Sequence, residues 1–331
     1  MKLTTVDNQT RDGQLVVVNR AGSHAVKVPQ IAMTLQQALD DWEHTAPQLN
    51  TVYQQLNAGE IADAYALDMA DVLAPLPRAH QFLDGSAYLA HVERVRKARG
   101  ADMPPSFLED PLMYQAVSDG FLSATENIEV VSEEYGIDFE AEAAVITGDV
   151  PMHVSADEAG NYIQLITILN DVSLRNLIPS ELAKGFGFMQ SKPRSALAPF
   201  FVTPDELGSA WRGHKIHLPM RTKYNDEWFG EPNCGVDMQF DFAELIAHAA
   251  KTRPLSAGAI IGSGTIANHD MSKGSTCLAE KRVLEVIANG SASTPFMRFG
   301  DTVEIHIEDD KGHNIFGTIK QKVTEYAWHR D

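Results

Sequence analysis

The chain has 331 residues, 44% of them apolar, and a formal net charge of −18 at pH 7. This length accommodates one large domain or two unequal ones, and the apolar content suffices for an ordinary packed core. The negative charge argues against nucleic-acid binding and against docking on anionic lipid, because both need a basic face. The two cysteines, Cys234 and Cys277, exclude a disulfide scaffold.

The N-terminal residues, from Met1 to Asp7, contain no apolar signal core. No stretch of the sequence approaches the roughly 20 apolar residues of a membrane-spanning helix. We therefore expect a soluble cytoplasmic protein without a membrane partner.

The first 75 residues have the pattern of a small β-rich unit. Two short β-rich runs, Gln14–Val18 and His24–Val28, flank a polar turn. A helix is predicted from Thr34, its N-cap, to Leu56, either continuous or broken near Pro47. The extended segment Pro75–Pro77 marks a linker, so we predict a small N-terminal domain of residues 1–75 and a second domain of residues 76–331.

The second domain is also rich in β signals. Its predicted strands are irregularly spaced and do not alternate strictly with helices, which argues against a TIM barrel and against a doubly wound sheet. We predict a helix from Asp241 to Lys251 and strands at Ile128–Val131, Phe139–Ile146, Tyr162–Asn170, Lys215–Leu218, Gly258–Gly262 and Asp301–Ile307.

The segment from Asp138 to Glu142 reads Asp-Phe-Glu-Ala-Glu and continues into an apolar run. In an extended strand Asp138, Glu140 and Glu142 would share one face, where their charges repel. A hard divalent cation bound through oxygen ligands relieves this repulsion. The alternative is a solvated edge of an acidic protein.

Other acidic candidates are Asp171, which follows a mostly apolar run, and Asp84, which lies seven residues before His91. The sequence contains no GxSxG, Walker A or HExxH signature. A GxGxxA match begins at Gly262, but a polar loop follows it where a dinucleotide-binding fold needs a helix.

Taken in order along the chain, these segments resemble the fumarylacetoacetate hydrolase family. The recurring pieces of that family stand here as the acidic strand Asp138–Glu142, the Asn-Asp-x-Ser-x-Arg segment Asn170–Arg175, Lys192, the Gly-Thr-Ile turn Gly264–Ile266 and Glu280. The resemblance implies the family's β-rich α+β fold, a rolled mixed β-sheet behind a small N-terminal β-rich domain. It also implies a homodimer.

The resemblance further implies the roles of individual residues. They fall into cation ligands for Mg²⁺, Mn²⁺ or Ca²⁺ (Asp84, Glu140, Glu142 and Asp171), catalytic residues (His91, Lys192 and Glu280), and substrate-binding residues (Arg99, Tyr114, Arg175, Gln190 and Thr265). Asp138 has no role that the resemblance assigns.

The spacing of Asp84 and His91 matches the fumarylacetoacetase type, whereas acylpyruvase-type members place a His and a Glu three residues apart on a lid helix. Here Glu93 follows His91 by only two residues. The resemblance therefore implies cleavage of a C–C bond in a dicarboxylate 1,3-diketone, namely fumarylacetoacetate in tyrosine and phenylalanine breakdown. The alternatives are an acylpyruvase, an oxaloacetate decarboxylase or a 2-oxo-acid hydratase or isomerase on the same cation site, or a non-catalytic binding protein stabilised by metal.

Three positions depart from the family pattern. Lys192 precedes Pro193 instead of a Gly-Thr element, Ile178 stands where a Gln is usual, and Ser86 stands where a Tyr is usual. Gln190 is the candidate replacement for the missing Gln. Since the cation ligands are kept while parts of the substrate shell are not, cation dependence is the firmer expectation.

Overall fold

The computed structural model describes residues 1–98 and 105–328, and side chains in this range except those of residues 95–98. The strands in this part of the chain are β1 (Lys2–Val6), β2 (Gln14–Val18), β3 (His24–Lys27), β4 (Tyr65–Ala66), β5 (Phe82–Gly85), β6 (Met113–Ala116), β7 (Ile128–Val130), β8 (Ile137–Asp138), β9 (Ala141–Thr147), β10 (Ile163–Asn170), β11 (Ser173–Leu174), β12 (Ala196–Leu197), β13 (Phe201–Val202), β14 (Trp211–Arg212), β15 (Lys215–Ile216), β16 (Arg221–Tyr224), β17 (Glu227–Gly230), β18 (Ile260–Gly262), β19 (Thr302–His306) and β20 (Ile319–Glu325). The α-helices are α1 (Leu35–Asp40), α2 (Trp42–Ala58), α3 (Leu89–Ala98), α4 (Ala156–Ala159), α5 (Ile178–Leu182), α6 (Phe242–Ala249) and α7 (Leu278–Asn289).

A large mixed sheet organises the chain. Its strand order is β4-β3-β2-β1-β13-β10-β9-β18-β5-β6, with β12 also paired to β10. Most neighbours are antiparallel, but β18 and β5 run parallel. A second sheet has the order β17-β16-β19-β20-β7. The fold is thus β-rich α+β, as the sequence predicts.

The centre of the large sheet is buried on both faces. Along β9, Ala143 and Val145 pack into one core while Ala144 and Ile146 pack into another. The first core also contains α6 and the second sheet, and the other contains α1 and α2. Burial on both faces explains why β9 and β10 read as continuous apolar runs rather than as alternating strands.

The N-terminal strands extend the large sheet instead of forming a sheet of their own. Lys2 of β1 pairs with Val202 of β13, and β1 pairs with β2 along its whole length. The division of the chain near residue 75 stays a prediction, although the backbone hydrogen bonds of β1 cross it.

The predicted N-terminal helix is broken, but at a different residue. Thr34 caps α1, with its hydroxyl accepting from the Gln37 N–H at 3.2 Å. The break falls at Asp41, whose φ and ψ are −132° and 45°, and Pro47 lies inside α2. The helix therefore tolerates the proline, and the expected break near Pro47 is wrong.

No helix in the described part of the chain is long and apolar enough to cross a membrane.

Candidate cation and catalytic site

Three carboxylates converge on the part of the large sheet formed by β10, β9, β18 and β5. Asp84 lies in β5, Glu142 in β9, and Asp171 directly after β10. The register places Gly262 of β18 between the first two, opposite both Asp84 and Ala144. Oxygen atoms of Asp84, Glu142 and Asp171 all lie within 4.8 Å of one another, and all three side chains are buried. The solvated acidic edge considered from the sequence is therefore wrong.

This cluster has the chemistry of a cation site. Neither carboxylate oxygen of Glu142 has a hydrogen-bond partner among the described residues. Burial and the charge of Asp171 raise the pKa of Asp84 to about 7, and burial and the charge of Asp84 raise the pKa of Glu142 well above its ordinary value. A hard divalent cation would satisfy these oxygens and remove the repulsion, so the residues present fit such an ion.

The backbone of β18 passes close to this cluster. A Cβ atom at Gly262 would overlap Oδ1 of Asp84 and would lie 3.2 Å from Oε2 of Glu142. Only glycine, which has no Cβ, lets the strand pass this close to the acidic cluster.

Glu140 lies beside the cluster but has different partners. Its carboxylate accepts hydrogen bonds from Ser173, Thr265 and Lys192, the last at 2.7 Å. Although burial opposes the effect, Arg175 and Lys192 together lower the pKa of Glu140 below its ordinary range. The structure thus holds Glu140 ionised by cationic side chains, whereas Glu142 has no such partner in the described part of the chain.

Lys192 connects the acidic cluster to the Glu140 carboxylate. Its Nζ contacts both Glu140 and Asp171, and it lies 5.6 Å from the centre of the Tyr114 ring. The Tyr114 hydroxyl donates to Asp171 at 2.7 Å. Ser195 also donates to Asp171, at 2.6 Å. The sequence-predicted residues Lys192 and Tyr114 therefore stand at the acidic cluster, and Ser195 is an additional contact.

His91 and Glu280 belong to a second cluster, and His91 lies close enough to Glu140 and Lys192 to feel their charges. His91 lies in α3 and Glu280 in the first turn of α7, and a ring nitrogen of His91, a carboxylate oxygen of Glu280 and Sγ of Cys277 lie within 4.8 Å of one another. Within the described residues, Nδ1 of His91 and Oε2 of Glu280 have no hydrogen-bond partner. Burial lowers the pKa of His91 to about 4 and raises that of Glu280 to about 7.

Arg94 is a site residue that the sequence reasoning missed. It contacts the Glu280 carboxylate and the backbone carbonyl of Asn268. Its position three residues after His91 puts both side chains on one helix face, which is the signal that could have found it. Glu93, in contrast, is exposed and faces His269 at 3.2 Å.

Of the remaining predicted substrate-binding residues, some lie beside the site and others do not. Thr265 donates to Glu140 as described above, and Gly264 before it adopts φ +78°, with a close approach to the backbone of Gly85. Arg175, whose side chain is 16% exposed, lies between Asp138 and Glu140. Gln190 is exposed, and its backbone N–H donates to Glu181 at 2.8 Å. Arg99 lies outside the described residues.

A cavity of about 930 Å³ adjoins the Lys192 side of the site. Its walls are β6, the segment 185–189 and the residues that end α6 and follow it. Among the described residues of its lining, Lys192 and Arg253 are cationic, His248 and Tyr114 are titratable, and none is Asp or Glu. In a chain with a net charge of −18, this lining favours an anionic ligand.

A known protein family matches most of the chain. The sequence profile described as "Fumarylacetoacetate (FAA) hydrolase C-terminal" matches residues 81–324. The chain belongs to the fumarylacetoacetate hydrolase family. A second profile, "Fumarylacetoacetase N-terminal domain 2", matches residues 1–78.

The relatives of this family member have diverse activities. Oxaloacetate tautomerase YisK from Bacillus subtilis is 25% identical over 248 residues, which cover 74% of this chain and 72% of that protein. The structure of maleylpyruvate hydrolase from Sphingobium sp. SYK-6 in complex with manganese(II) and pyruvate aligns with a TM-score of 0.65 and 16% identity, covering 99% of this chain and all of that one. Fumarylacetoacetate hydrolase from Exiguobacterium antarcticum aligns with a TM-score of 0.63 and 19% identity, covering 98% of this chain and all of that one. These structural alignments support the fold.

Proposed function

We propose that this chain is a divalent-cation-dependent hydrolase that cleaves a C–C bond in a dicarboxylate 1,3-diketone, with fumarylacetoacetate as substrate and fumarate and acetoacetate as products. The observation that carries the proposal is that the fold provides two side-chain clusters with complementary chemistry. One is a buried acidic cluster in which the Glu142 oxygens have no hydrogen-bond partner among the described residues, and the other is a mostly buried His91 next to Glu280.

His91 is the proposed general base. Because burial holds the pKa of His91 at about 4, its imidazole is neutral at physiological pH and can accept a proton from water. Glu280, when ionised, is placed to orient the ring and to stabilise the imidazolium that forms. General-base catalysis typically contributes ~10²–10⁴-fold when the pKa of the base lies near the operating pH, a condition that His91 meets only if ionised Glu280 stabilises the imidazolium.

The bond changes follow from that proton transfer. The water oxygen bonds to the carbonyl carbon while His91 takes its proton, and the C–C bond then breaks with its electron pair left on the departing ketone fragment. The proton held by His91 returns to that fragment, and the new carboxylic acid releases its own proton to solvent. One water is thus consumed and one new carboxylate forms, which gives the dicarboxylate fumarate and the monocarboxylate acetoacetate. Lys192 donates hydrogen bonds where negative charge develops, as the donors of an oxyanion hole do.

Asp84, Glu142 and Asp171 would hold the cation, with Glu140 as a fourth ligand on the family pattern. When bound, the cation supplies Lewis-acid polarisation of the substrate oxygens. Oxygen-only ligation suits Mg²⁺, Mn²⁺ or Ca²⁺. The manganese in the related maleylpyruvate hydrolase structure supports testing Mn²⁺ first.

The acid-free cavity supports a dicarboxylate substrate. A substrate that places its diketone at the acidic cluster would extend past Lys192 and Tyr114 into the cavity, where Arg253 lines the wall. No hydrogen bond or ion pair of Arg253 is found within the described residues, so its guanidinium is available to a distal carboxylate.

A second candidate function is tautomerisation of a 2-oxo acid such as oxaloacetate. The Bacillus oxaloacetate tautomerase, which matches 74% of this chain, favours it. A tautomerase moves a proton between carbon and oxygen without breaking a C–C bond, and His91 with Lys192 could carry out that transfer as well.

We also propose that two copies of the chain form a homodimer. The side chains of Phe186 and Met189, next to the cavity, are large, apolar and exposed. Burial of this surface against a second copy would remove it from water. Light scattering after size exclusion should give twice the chain mass of 36.4 kDa.

The test is a substrate panel followed by NMR. Wild-type protein with Mg²⁺, Mn²⁺ or Ca²⁺ is incubated with fumarylacetoacetate, an acylpyruvate and oxaloacetate. We expect fumarate and acetoacetate from the first, and we expect His91→Ala to bind the cation but to give no products. Conversion of oxaloacetate alone would favour the tautomerase. Thermal stabilisation by the cation without turnover of any compound would favour a binding protein and overturn the proposal.

A further inference from the structure

Asp138, which the family resemblance leaves without a role, sits at the end of β8 with a fully buried side chain. Its Oδ1 accepts from the backbone N–H of Leu278 at 2.7 Å, and its Oδ2 accepts from that of Ala279 at 2.9 Å. Oδ2 also accepts from Nε of Arg175 at 2.8 Å. Burial of a carboxylate costs free energy unless its oxygens are hydrogen-bonded, so a buried Asp with three donors has a specific structural role.

The two backbone donors belong to the first turn of α7, a helix of 12 residues. The N–H groups of a first turn have no partner within the helix, and a negative charge there is stabilised by the helix dipole. Glu280 lies in the same turn, with its own N–H donating to Cys277. Asp138 thus fixes the turn that carries Glu280.

The third donor, Arg175, connects Asp138 to the charged groups beside the acidic cluster. While Nε of Arg175 binds Asp138, Nη2 of the same guanidinium lies 3.2 Å from Oε1 of Glu140. Glu140 in turn contacts Lys192. One carboxylate therefore joins the turn that carries Glu280, through a single arginine, to the charged groups beside the cation cluster.

The break in the acidic strand makes this connection possible. The ladder is interrupted at Phe139 and Glu140, between β8 and β9. In a continuous strand Asp138 would share a face with Glu142, which stands in the acidic cluster. With the interruption, Asp138 faces α7 instead.

We propose that Asp138 is a positioning residue that holds Glu280, and through it His91, in register with the cation cluster. The inference rests on the proposed function. Asp138 acts by fixing the positions of other groups, since it contacts neither reacting atoms nor the oxygens of the cation cluster. A misplacement of about 1 Å in a catalytic constellation can cost ~10²-fold in rate.

The test uses Asp138→Asn, which keeps the size of the side chain but converts one acceptor oxygen into an NH₂ donor. At least one of the three donors then loses its partner. We expect kcat to fall ~10–100-fold while KM for the substrate and Kd for Mn²⁺ change less than threefold. In hydrogen–deuterium exchange, we expect the amides of Leu278 and Ala279 to exchange at least tenfold faster.

The matched control is Glu285→Gln in the same helix. Glu285 also accepts two backbone N–H bonds, from Ser293 at 2.6 Å and Thr294 at 2.8 Å, but these donors follow α7 and do not belong to the turn that carries Glu280. We expect a loss of thermal stability, smaller than that of Asp138→Asn because Glu285 is only partly buried, with kcat within twofold of wild type. If Asp138→Asn does not fold, Arg175→Lys tests the other end of the link, because it keeps a positive charge near Glu140 without the fixed guanidinium geometry, and the same drop in kcat is expected.

The outcomes separate the inference from the proposed function. Faster exchange at Leu278 and Ala279 with unchanged kcat would overturn the inference, and so would unchanged exchange in the folded variant. A kcat loss of equal size in Glu285→Gln would also overturn it, because any damage to α7 would then suffice. If the wild-type protein turns over no substrate, the proposed function fails, and the exchange data alone decide whether Asp138 holds α7.

Discussion

Substitution of Gly262 by alanine tests the cation site with a single methyl group. The added Cβ would overlap Oδ1 of Asp84 and approach Oε2 of Glu142 to 3.2 Å. To relieve the overlap, the Asp84 carboxylate or β18 has to move by roughly half an ångström or more. Cation sites tolerate ligand displacements of only about ±0.2 Å, so the displacement exceeds the tolerance more than twofold.

We therefore expect Gly262→Ala to weaken Mn²⁺ binding at least ~10–100-fold, the size of effect seen when the support of a ligand is disturbed. The loss corresponds to roughly 1.4–2.7 kcal/mol of binding free energy. Isothermal titration calorimetry on chelator-treated protein measures it. The control is Gly120→Ala, whose Cβ would meet only the Arg194 side chain, at 3.3 Å from Nε. An unchanged Kd for Mn²⁺ in folded Gly262→Ala would show that the cation does not bind between Asp84 and Glu142.

Three further predictions follow from the charges around the site. Lys192→Met removes the ammonium group that Glu140 and Asp171 share. We therefore expect the protein without a divalent ion to lose about 3–5 kcal/mol in its free energy of unfolding, measured by denaturant titration, and a loss below about 1 kcal/mol would contradict the pairing. Because burial raises the pKa of Glu280 to about 7 and Arg94 opposes that rise, kcat should increase with pH through about 7, and Arg94→Met should move this limb to higher pH; a shift to lower pH would be the wrong sign. Arg253→Met should raise KM about tenfold for a dicarboxylate diketone and leave KM for a monocarboxylate acylpyruvate unchanged, and equal effects on both would remove Arg253 from substrate recognition.

Local sequence patterns predict the strands of the two cores well. The run Gln14–Val18 coincides with β2, and the run predicted from Tyr162 to Asn170 differs from β10 by one residue. These runs are apolar because both faces of the sheet are covered, so composition alone marks them. The predicted helix from Asp241 to Lys251 corresponds to α6, where Asp241 and Glu244 form a capping box.

Other elements escaped prediction for physical reasons. β6 is an edge strand whose residues are only partly buried, so it has no continuous apolar run. The helix α7 has a cysteine at its N-cap and receives its main capping carboxylate from Asp138, 140 residues earlier in the chain. No local pattern contains that interaction, because it exists only after β8 and α7 meet.

The site was predictable to the extent that its residues stand in ordered motifs. The motifs name Asp84, Glu142 and Asp171, which the fold brings together. The assignment of Glu140 as a ligand stays a prediction, since in this structure cationic and hydroxyl donors surround it. Sequence reasoning placed Asp138 and Glu142 on one face, but the interruption of the strand separates them.

The most direct test of the central claim is turnover of fumarylacetoacetate in H₂¹⁸O by chelator-treated protein, before and after Mn²⁺ is restored. Mass spectrometry of the products follows both cleavage and label. The account predicts no turnover without the cation, turnover after its return, and one ¹⁸O atom in the newly formed carboxylate. Cleavage that is unaffected by removal of the cation, or products without the label, would contradict cation-dependent hydrolysis at this site.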